Sequence, residues 1–433
     1  MIVTSLILAA LLLQGSQSGP EERVKVEYVF LDVIAVDKNN RLVTDLTLED
    51  FTVTENKRPV KIQSFDLLDL RASANVDEAA GTSEGGGRSV APGVARYILA
   101  LDLSFAELSE VHRSFGQLED FLKQAEPRPN VAYRLFSLES GFLMEDFEGD
   151  PQTVLRALTR YRTEYLDELV ERGKFQGRAT DTAPLGTDNL ADLEDRFEAC
   201  AHHGQSALGR AEVRDCIYGE LELFLQLLDH RTARAIQELE ELAYRFQNVD
   251  GIKSIVFLSP GFSLEPGAAA IELARLYFSG TAGDEGRGAT GNFDWVPDSS
   301  SRRSSFKEEF NRVVHACVRN RVVFHTFDIY NFNLDQRRRT SVRFDRNSSR
   351  VVTVYQDHAR ELNGGLIELA DQSGGYFHSG PDLGNLTSVM DGTRFIYALG
   401  YQSPSGKREF RKIRVKCKRK GVRLLHRSGY LSG

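Results

Sequence analysis

The sequence predicts an α/β fold, in which a doubly wound, mainly parallel sheet with helices on both faces is inserted in a small β-sandwich. Apolar strands alternate with amphipathic helices from residue 96 to about residue 392, as in a series of βαβ units. Residues 24–70 instead alternate apolar and polar positions, which is typical of antiparallel strands. The strands of residues 393–433 lack neighbours of their own kind, so we expect them to complete a sandwich with the N-terminal strands.

Composition excludes several classes of protein. The chain has 433 residues, more than one typical core accommodates, and 41% of them are hydrophobic and 27% charged. These fractions are ordinary for a globular protein and argue against global disorder. The formal net charge of −8 disfavours a general nucleic-acid binder, which would carry an excess of Lys and Arg.

The first 18 residues have the features of a signal peptide. The apolar run from Ile2 to Leu13 is too short to span a bilayer comfortably, and Ser16 and Ser18 suit cleavage after Ser18. We therefore expect a secreted or periplasmic protein without a transmembrane segment after signal cleavage. A disordered or interfacial leader is the alternative, because no Lys or Arg precedes the apolar run.

The N-terminal β region and the α/β region are separated by a linker. The segments "VKVEYVFLDVIAVD", "FTVTEN" and "RPVKIQSFD" predict the first strands, and "KNNRL" and "ENKRP" predict the turns between them. Residues 71–95 are rich in Gly, Ser and Ala without periodicity, which is typical of a flexible linker.

The α/β region begins with "RYILALDLS", a nearly continuous apolar run that predicts a strand covered on both faces. An amphipathic helix, a hairpin and a helix capped by Asp150 follow. Further along the chain, "IKSIVFLS" and "RVVFHTFDI" predict two more strands of the sheet. Two stretches interrupt this alternation, a charged and irregular one at about 163–215 and a Gly- and Ser-rich one at about 279–305. We interpret both as insertions.

The four cysteines are interpreted in the light of export. Cys200 and Cys216 are close in sequence, and an oxidising compartment favours a local disulfide between them. A zinc site of Cys200, His202, His203 and Cys216 is the alternative, but its spacing matches no usual ligand pattern. The other two cysteines, at positions 317 and 417, have the pattern of buried apolar residues.

Asp102 and Ser104 are the candidate site residues. They follow the strand "YILAL" at its carboxyl end, where open α/β sheets bind their ligands. A carboxylate and a hydroxyl are hard oxygen donors that suit Mg²⁺ or another divalent cation. The same two residue types also cap helices, so a purely structural role at the start of the next helix is the alternative.

The chain resembles a von Willebrand factor type A (VWA) domain, and in particular the acidobacterial VWFA-related family. The resemblance rests on a set of segments in a fixed order, which spans most of the chain outside the linker and the insertions. These segments are "VIAVDKNNRLVTDLTLEDFTVTENKRPVKIQSF", "GIKSIVFLSPGFS", "VVFHTFDI", "LADQSGGYF", "YALGYQSP" and "FRKIRVKCKRKGVRLLHRSGY".

The resemblance implies a metal site built from D-x-S-x-S on the first strand, a Thr on a second loop and an Asp on a third. Asp102 and Ser104 match this pattern, but Ala106 replaces the second Ser, and Pro260 stands about where the third-loop Asp is expected. Asp328, at the end of another predicted strand, could substitute. The second-loop candidates are Thr180, Thr182 and Thr187. The site is therefore expected to be degenerate.

The resemblance implies a protein-protein interaction module whose partner the sequence does not name. A structural or assembly component of the cell envelope is the alternative, and a hydrolase is a weaker one. We expect no enzyme, because the sequence has neither G-x-S-x-G nor H-E-x-x-H. The basic stretch "GKREFRKIRVKCKRKGVRLLHR" could bind a membrane or a nucleic acid, but its alternation with apolar residues indicates the solvent face of a strand.

Overall fold

The computed structural model describes residues 26–38, 41–69, 95–103, 106, 108–128, 131–175, 190–203, 210–249, 253–281, 306–329, 348–379, 394–404 and 409–432. Its strands are β1 (Val26–Val36), β2 (Phe51–Glu55), β3 (Arg58–Val60), β4 (Ile62–Asp69), β5 (Ala95–Leu101), β6 (Val131–Ser137), β7 (Gly141–Phe142), β8 (Lys253–Ser259), β9 (Val322–Asp328), β10 (Phe377–His378), β11 (Phe395–Pro404), β12 (Phe410–Cys417), β13 (Arg423–Leu425) and β14 (Gly429–Leu431). Its helices are α1 (Leu108–Gln124), α2 (Pro151–Phe175), α3 (Leu190–His203), α4 (Arg210–Arg245), α5 (Ala268–Thr281), α6 (Lys307–Asn320) and α7 (Ser348–Ser373).

A six-stranded sheet in the order β10-β9-β8-β5-β6-β7 forms the centre of the α/β unit. All neighbouring strands in it are parallel except β6 and β7, which form the predicted hairpin. Strand β5 is buried on both faces: Ile98 and Ala100 pack in the cluster with α4, α6 and α7, whereas Leu99 and Leu101 pack in the cluster with α1 and α2. The structure thus confirms an α/β fold with a mainly parallel sheet and helices on both faces.

Two antiparallel sheets each contain strands from the N-terminal and C-terminal parts of the chain. One has the order β13-β1-β11-β4 and the other β14-β12-β2-β3. Strand β1 pairs with β11, and β2 pairs with β12, so each sheet pairs an N-terminal strand with a C-terminal strand, as the sequence predicts. The inner faces meet at Phe51 of β2, whose ring centroid lies 5.2 Å from that of Tyr397 and 5.8 Å from that of Phe65.

A buried carboxylate connects the strands of this sandwich. The Glu55 side chain of β2 accepts hydrogen bonds from Tyr401 (2.8 Å), Ser403 (2.6 Å) and Tyr430 (3.0 Å). Its Oε1 also accepts a bond of 3.0 Å from Arg411 Nη1, in an ion pair whose side chains are 8% and 9% exposed. Both charges are therefore held by hydrogen bonds that replace those of water.

The prediction of an irregular segment at about 163–215 is wrong for the residues that the structure describes. Residues 163–175 continue helix α2, and α3 and the first turns of α4 follow. Cys200 of α3 forms a disulfide with Cys216 of α4, which confirms the favoured pairing. The alternative zinc site is wrong, since sulfurs joined to each other are not thiolate ligands.

Several predictions fall outside the described residues. These are the signal peptide (1–18), the linker up to residue 94, the stretch 176–189 with the three candidate threonines, and residues 282–305 of the second insertion. The linker was expected to reach residue 95, but Ala95 is the first residue of β5. Among the helices that the structure describes, none has the length and apolar character to cross a bilayer.

The basic C-terminal stretch forms strand β12 in the interior of its sheet. Ile413 and Val415 are buried, whereas Arg414 and Lys416, which alternate with them, are exposed, as predicted for a strand with one solvent face. Arg411 lies on the same buried face as Ile413 and Val415, where its charge is paired with Glu55. The alternation therefore places Arg411 inside, but it does not identify the partner, which lies on a strand more than 350 residues away in sequence.

We expect Glu55→Gln to destabilise the protein by about 3 kcal/mol, because it removes the only buried counter-charge that the described residues give the Arg411 guanidinium. Urea unfolding followed by circular dichroism measures the loss. Glu409→Gln is the matched control, since Glu409 also pairs with Arg411 but is 51% exposed, and its loss should cost under about 1 kcal/mol. Equal effects of the two variants would contradict the importance of the buried pair.

The stabilisation that Glu55 contributes is expected to depend on pH. Burial alone would raise the pKa of Glu55, but the hydrogen bonds from Ser403, Tyr401, Tyr430 and Arg411 outweigh it and lower the pKa. The stabilisation is therefore complete above the ordinary pKa of 4.5 and is lost as the pH falls through the lowered value of the folded state. The difference in unfolding free energy between wild type and Glu55→Gln should shrink below about pH 4.5.

We expect the Cys200→Ser/Cys216→Ser variant to lose about 3 kcal/mol of stability, because the disulfide closes a loop with a sequence separation of 16 residues. Thermal melts with and without reductant measure this effect. Reductant should lower the melting temperature of the wild type and leave that of the variant unchanged. A wild type insensitive to reductant would contradict a stabilising disulfide.

Candidate functional site

Asp102 lies at the carboxyl end of the central strand β5 and is 4% exposed. Its backbone N–H donates to Leu258 O at 2.9 Å, which extends the pairing of β5 with β8. Its side-chain Oδ2 accepts a hydrogen bond of 2.6 Å from Ser259 Oγ, at the end of β8. The described contact of Asp102 thus joins two neighbouring strands, and α1 begins six residues later, at Leu108. Ser104 lies outside the described residues.

The loop after β8, residues 259–264, is held in one conformation by its neighbours. Gly261 has φ +93°, a region that favours glycine, and a Cβ there would lie 2.7 Å from Leu362 O. Its N–H donates to Ser259 Oγ at 3.0 Å, and its carbonyl accepts a bond of 3.0 Å from the buried Arg231 of α4. Ser259 Oγ therefore accepts from Gly261 while it donates to Asp102. Pro260 is buried in this loop, and its side chain has no oxygen atom that could bind a metal ion.

Asp328 reaches the same edge of the sheet from β9, where it is in register with Ser259. It is 6% exposed, and its Oδ2 accepts a hydrogen bond of 3.1 Å from Asn363 Nδ2 of α7. The N–H of Ile329 donates to Ser259 O at 3.1 Å, which continues the strand pairing into the loop. Asp328 therefore lies at the end of a strand, as the sequence predicts, and it contacts α7, the helix that packs on β9.

Two tyrosines of α2, which the sequence analysis did not single out, also reach this edge. Tyr161 OH donates to Ser137 Oγ at 2.8 Å, and Tyr165 OH donates to Leu103 O at 3.2 Å and lies 3.5 Å from Glu139 Oε1. Burial, followed by the nearby Glu139 carboxylate, raises the pKa of Tyr165 well above its usual range, and burial raises that of Tyr161. Both phenols remain protonated donors.

A sequence signal for these tyrosines exists. The buried positions Val154, Leu158, Tyr161 and Tyr165 recur at helical spacing, which continues the apolar stripe of the helix that begins at Pro151. The stripe continues past residue 163, where the sequence was interpreted as the start of a charged and irregular insertion. The apolar spacing along one helix face therefore predicts the continuation of the helix better than the overall charge of the segment does.

The described donor atoms do not fit a divalent cation. Mg²⁺ takes about six oxygen ligands in octahedral geometry, at least one or two of them carboxylates. Asp102 and Ser259 supply one carboxylate and one hydroxyl, and the proton of that hydroxyl is directed at the carboxylate. The carboxylate of Asp328, at the same edge, accepts a hydrogen bond from Asn363 of α7. Across the described part of the chain, no group of three or more His, Cys, Asp or Glu side chains is arranged to hold a metal ion. A role of Ser104 as a ligand stays a prediction.

Comparisons with known proteins supply no relative. No protein-family model, curated protein or solved structure matches this chain. The fold and the geometry of this edge are therefore the basis for any functional proposal.

We expect Ser259→Ala to destabilise the protein by about 1–3 kcal/mol, because it removes a hydrogen bond to the buried Asp102 carboxylate and the acceptor of the Gly261 N–H. A double-mutant cycle of Ser259→Ala and Asp102→Ala, read by urea unfolding, should give a coupling energy of about 1 kcal/mol or more. Strictly additive losses would contradict a direct interaction between the two side chains.

Proposed function

We propose that this protein is an exported VWA-like protein-protein interaction module with a degenerate metal site. The observation that carries the proposal is the hydrogen bond between Ser259 and Asp102 at the carboxyl edge of the sheet. In the family that the sequence resembles, this edge binds partners through a cation. Here the carboxylate is already engaged by a neighbouring strand, and a proline follows Ser259 in the loop. The partner is therefore recognised by the surface of the loops, without a bridging cation.

The rigidity of this edge supports a binding role. Gly261 packs against α7, Arg231 of α4 holds the carbonyl of Gly261, and Tyr165 of α2 holds that of Leu103. Three helices thus hold the loop that follows β8 and the backbone at Leu103 before any partner arrives. A pre-organised surface loses little conformational entropy on association, which favours specific binding.

Export is supported by the disulfide between Cys200 and Cys216. Disulfides persist in oxidising compartments and are rare in reducing ones. The apolar N-terminal run and this disulfide agree with each other, and a secreted or periplasmic location accounts for both.

We expect Mg²⁺, Mn²⁺ and Ca²⁺ to leave the melting temperature of the protein unchanged relative to EDTA, in the wild type and in Asp102→Ala alike. A ligand at about 100 times its dissociation constant would add about 2.7 kcal/mol, which differential scanning fluorimetry detects as a shift of a few degrees. A rise with any cation that Asp102→Ala abolishes would show a working cation site and refute the metal-free part of the proposal.

The interaction itself is tested by cross-linking in the exported fraction of the cell that makes the protein. Ser140→Arg adds bulk and charge at the carboxyl edge, and Gln247→Arg makes the same addition before β8, at the opposite edge of the sheet. We expect cross-linking to capture a defined partner in the presence of EDTA, and we expect this partner to dissociate on dilution when no cross-linker is added. Capture should be lost with Ser140→Arg and retained with Gln247→Arg. A permanent complex would favour the envelope-assembly alternative, and equal capture by both variants would refute binding at this edge.

A further inference from the structure

A cavity of about 50 Å³ lies between the β-sandwich and the amino edge of the central sheet. Asp32 and Ile34 of β1 and Ile396 of β11 line it from the sandwich. The first residues of β5 and β9 and the last turn of α6 line it from the α/β unit. A single water molecule needs about 10–15 Å³ of such a volume, so the cavity has room for roughly three to five non-hydrogen atoms.

Arg427 lines this cavity and carries a charge that no carboxylate of the described residues pairs with. Its Nη2 donates to Phe30 O of β1 at 2.6 Å, and its Nη1 donates to Val318 O of α6 at 3.3 Å. Its Nε is buried and has no hydrogen-bond acceptor in the described part of the chain. Buried guanidinium groups are normally paired with an anion, because a charge in an apolar environment costs free energy. The missing counter-charge therefore points to a ligand.

The ion pair at the rim of the cavity leaves this charge unmatched. Arg321 Nη2 lies 2.7 Å from Asp32 Oδ2, and both residues line the cavity. Their side chains are 48% and 28% exposed, so the cavity is reached from solvent on this side. Burial lowers the pKa of Arg427, whereas the nearby Asp32 carboxylate raises it and the Arg321 cation lowers it again. Two guanidinium groups thus share one carboxylate, and one negative charge balances the cavity.

Two further basic residues line the cavity without changing this balance. Burial lowers the pKa of His426, and its Nε2 accepts a hydrogen bond of 3.1 Å from the Val415 N–H, so the ring is neutral. The guanidinium of Arg96 lies 6.0 Å from the centre of the Phe147 ring, beside β6. Neither residue supplies the counter-charge of Arg427.

We infer that this cavity binds a small monocarboxylate, such as acetate or propionate, whose carboxylate is the counter-ion of Arg427. A carboxylate has two acceptor oxygens, which suit the several donors of a guanidinium. These ions have about four or five non-hydrogen atoms, in agreement with the volume of the cavity. The rest of the lining is largely apolar, which suits a short alkyl chain better than a phosphate or a sulfate. The apolar side chains are those of Ile34, Tyr97, Val318, Val322, Ile396 and Leu425.

This site is independent of the proposed function, because it lies at the amino edge of the central sheet and the proposed binding surface lies at the carboxyl edge. Arg427 already joins β1 of the sandwich to α6 of the α/β unit through two backbone carbonyls. A carboxylate bound to Arg427 adds a contact at this junction, and a ligand that binds only the folded protein also stabilises it.

The first test is isothermal titration calorimetry of the protein with sodium propionate up to about 50 mM, a range that suits a ligand of so few atoms. We expect saturable binding of propionate and no binding of propionamide, a neutral molecule of the same shape. Arg427→Gln removes the counter-charge and should raise the dissociation constant by at least about tenfold. Arg414→Gln is the matched control, since Arg414 lies on the exposed face of β12, and it should leave the constant unchanged. No binding of propionate, equal binding of propionamide, or a constant indifferent to Arg427→Gln would overturn the inference.

The second test uses Asp32→Asn, for which we expect the opposite sign. This variant removes the negative charge at the rim and releases Arg321 from its ion pair, so propionate should bind more tightly, by about threefold or more. A purely structural role of Arg427 predicts no such gain, and unchanged or weaker binding would contradict the site. Tighter binding of inorganic phosphate than of propionate would refute the assignment to a monocarboxylate. Circular dichroism at the temperature of the titration shows that each variant is folded.

Discussion

The buried hydrogen-bonded ion pair of Glu55 and Arg411 is the constraint on which the rest of the structure depends. Glu55 lies on the second strand of the chain, and its partners lie on β11, β12 and β14, after the whole α/β unit. Joining residues this distant costs loop-closure entropy, which the apolar contacts of Phe51, Phe65 and Tyr397 offset. Because an unpaired buried charge is costly, the cluster also specifies which strands meet.

The closed sandwich and the central sheet share one hydrophobic cluster. Val29 and Leu399 of the sandwich, Ile98 of β5 and Phe310 of α6 all belong to it. The α/β unit is therefore packed against the sandwich by apolar contact as well as tethered to it by the chain. Side chains in such an interior are close-packed, so that the carboxyl edge of the sheet rests on a rigid support.

At that edge, polar groups of neighbouring strands bind one another through internal hydrogen bonds. Asp102, Ser259 and the Gly261 N–H form a chain of hydrogen bonds that joins the end of β5 to the loop after β8. Ser259 and Gly261, on either side of Pro260, are small enough to pack closely against α7. Neither of them supplies a carboxylate. This combination of residues suits a fixed surface better than a site that exchanges ligands.

The sequence by itself determined the class of fold, because apolar periodicity indicates which faces of helices and strands are buried. This periodicity predicted the apolar strands, the hairpin, the helix at Pro151 and the pairing of strands from the two ends of the chain. It also placed Asp102 and Asp328 at one edge of the sheet, since parallel strands share their direction. Tertiary structure alone decided that Ser259 binds Asp102, that Tyr165 reaches the same edge and that Arg411 is buried against Glu55. These contacts join residues far apart in sequence, and their energies depend on distance and burial, which no local pattern encodes.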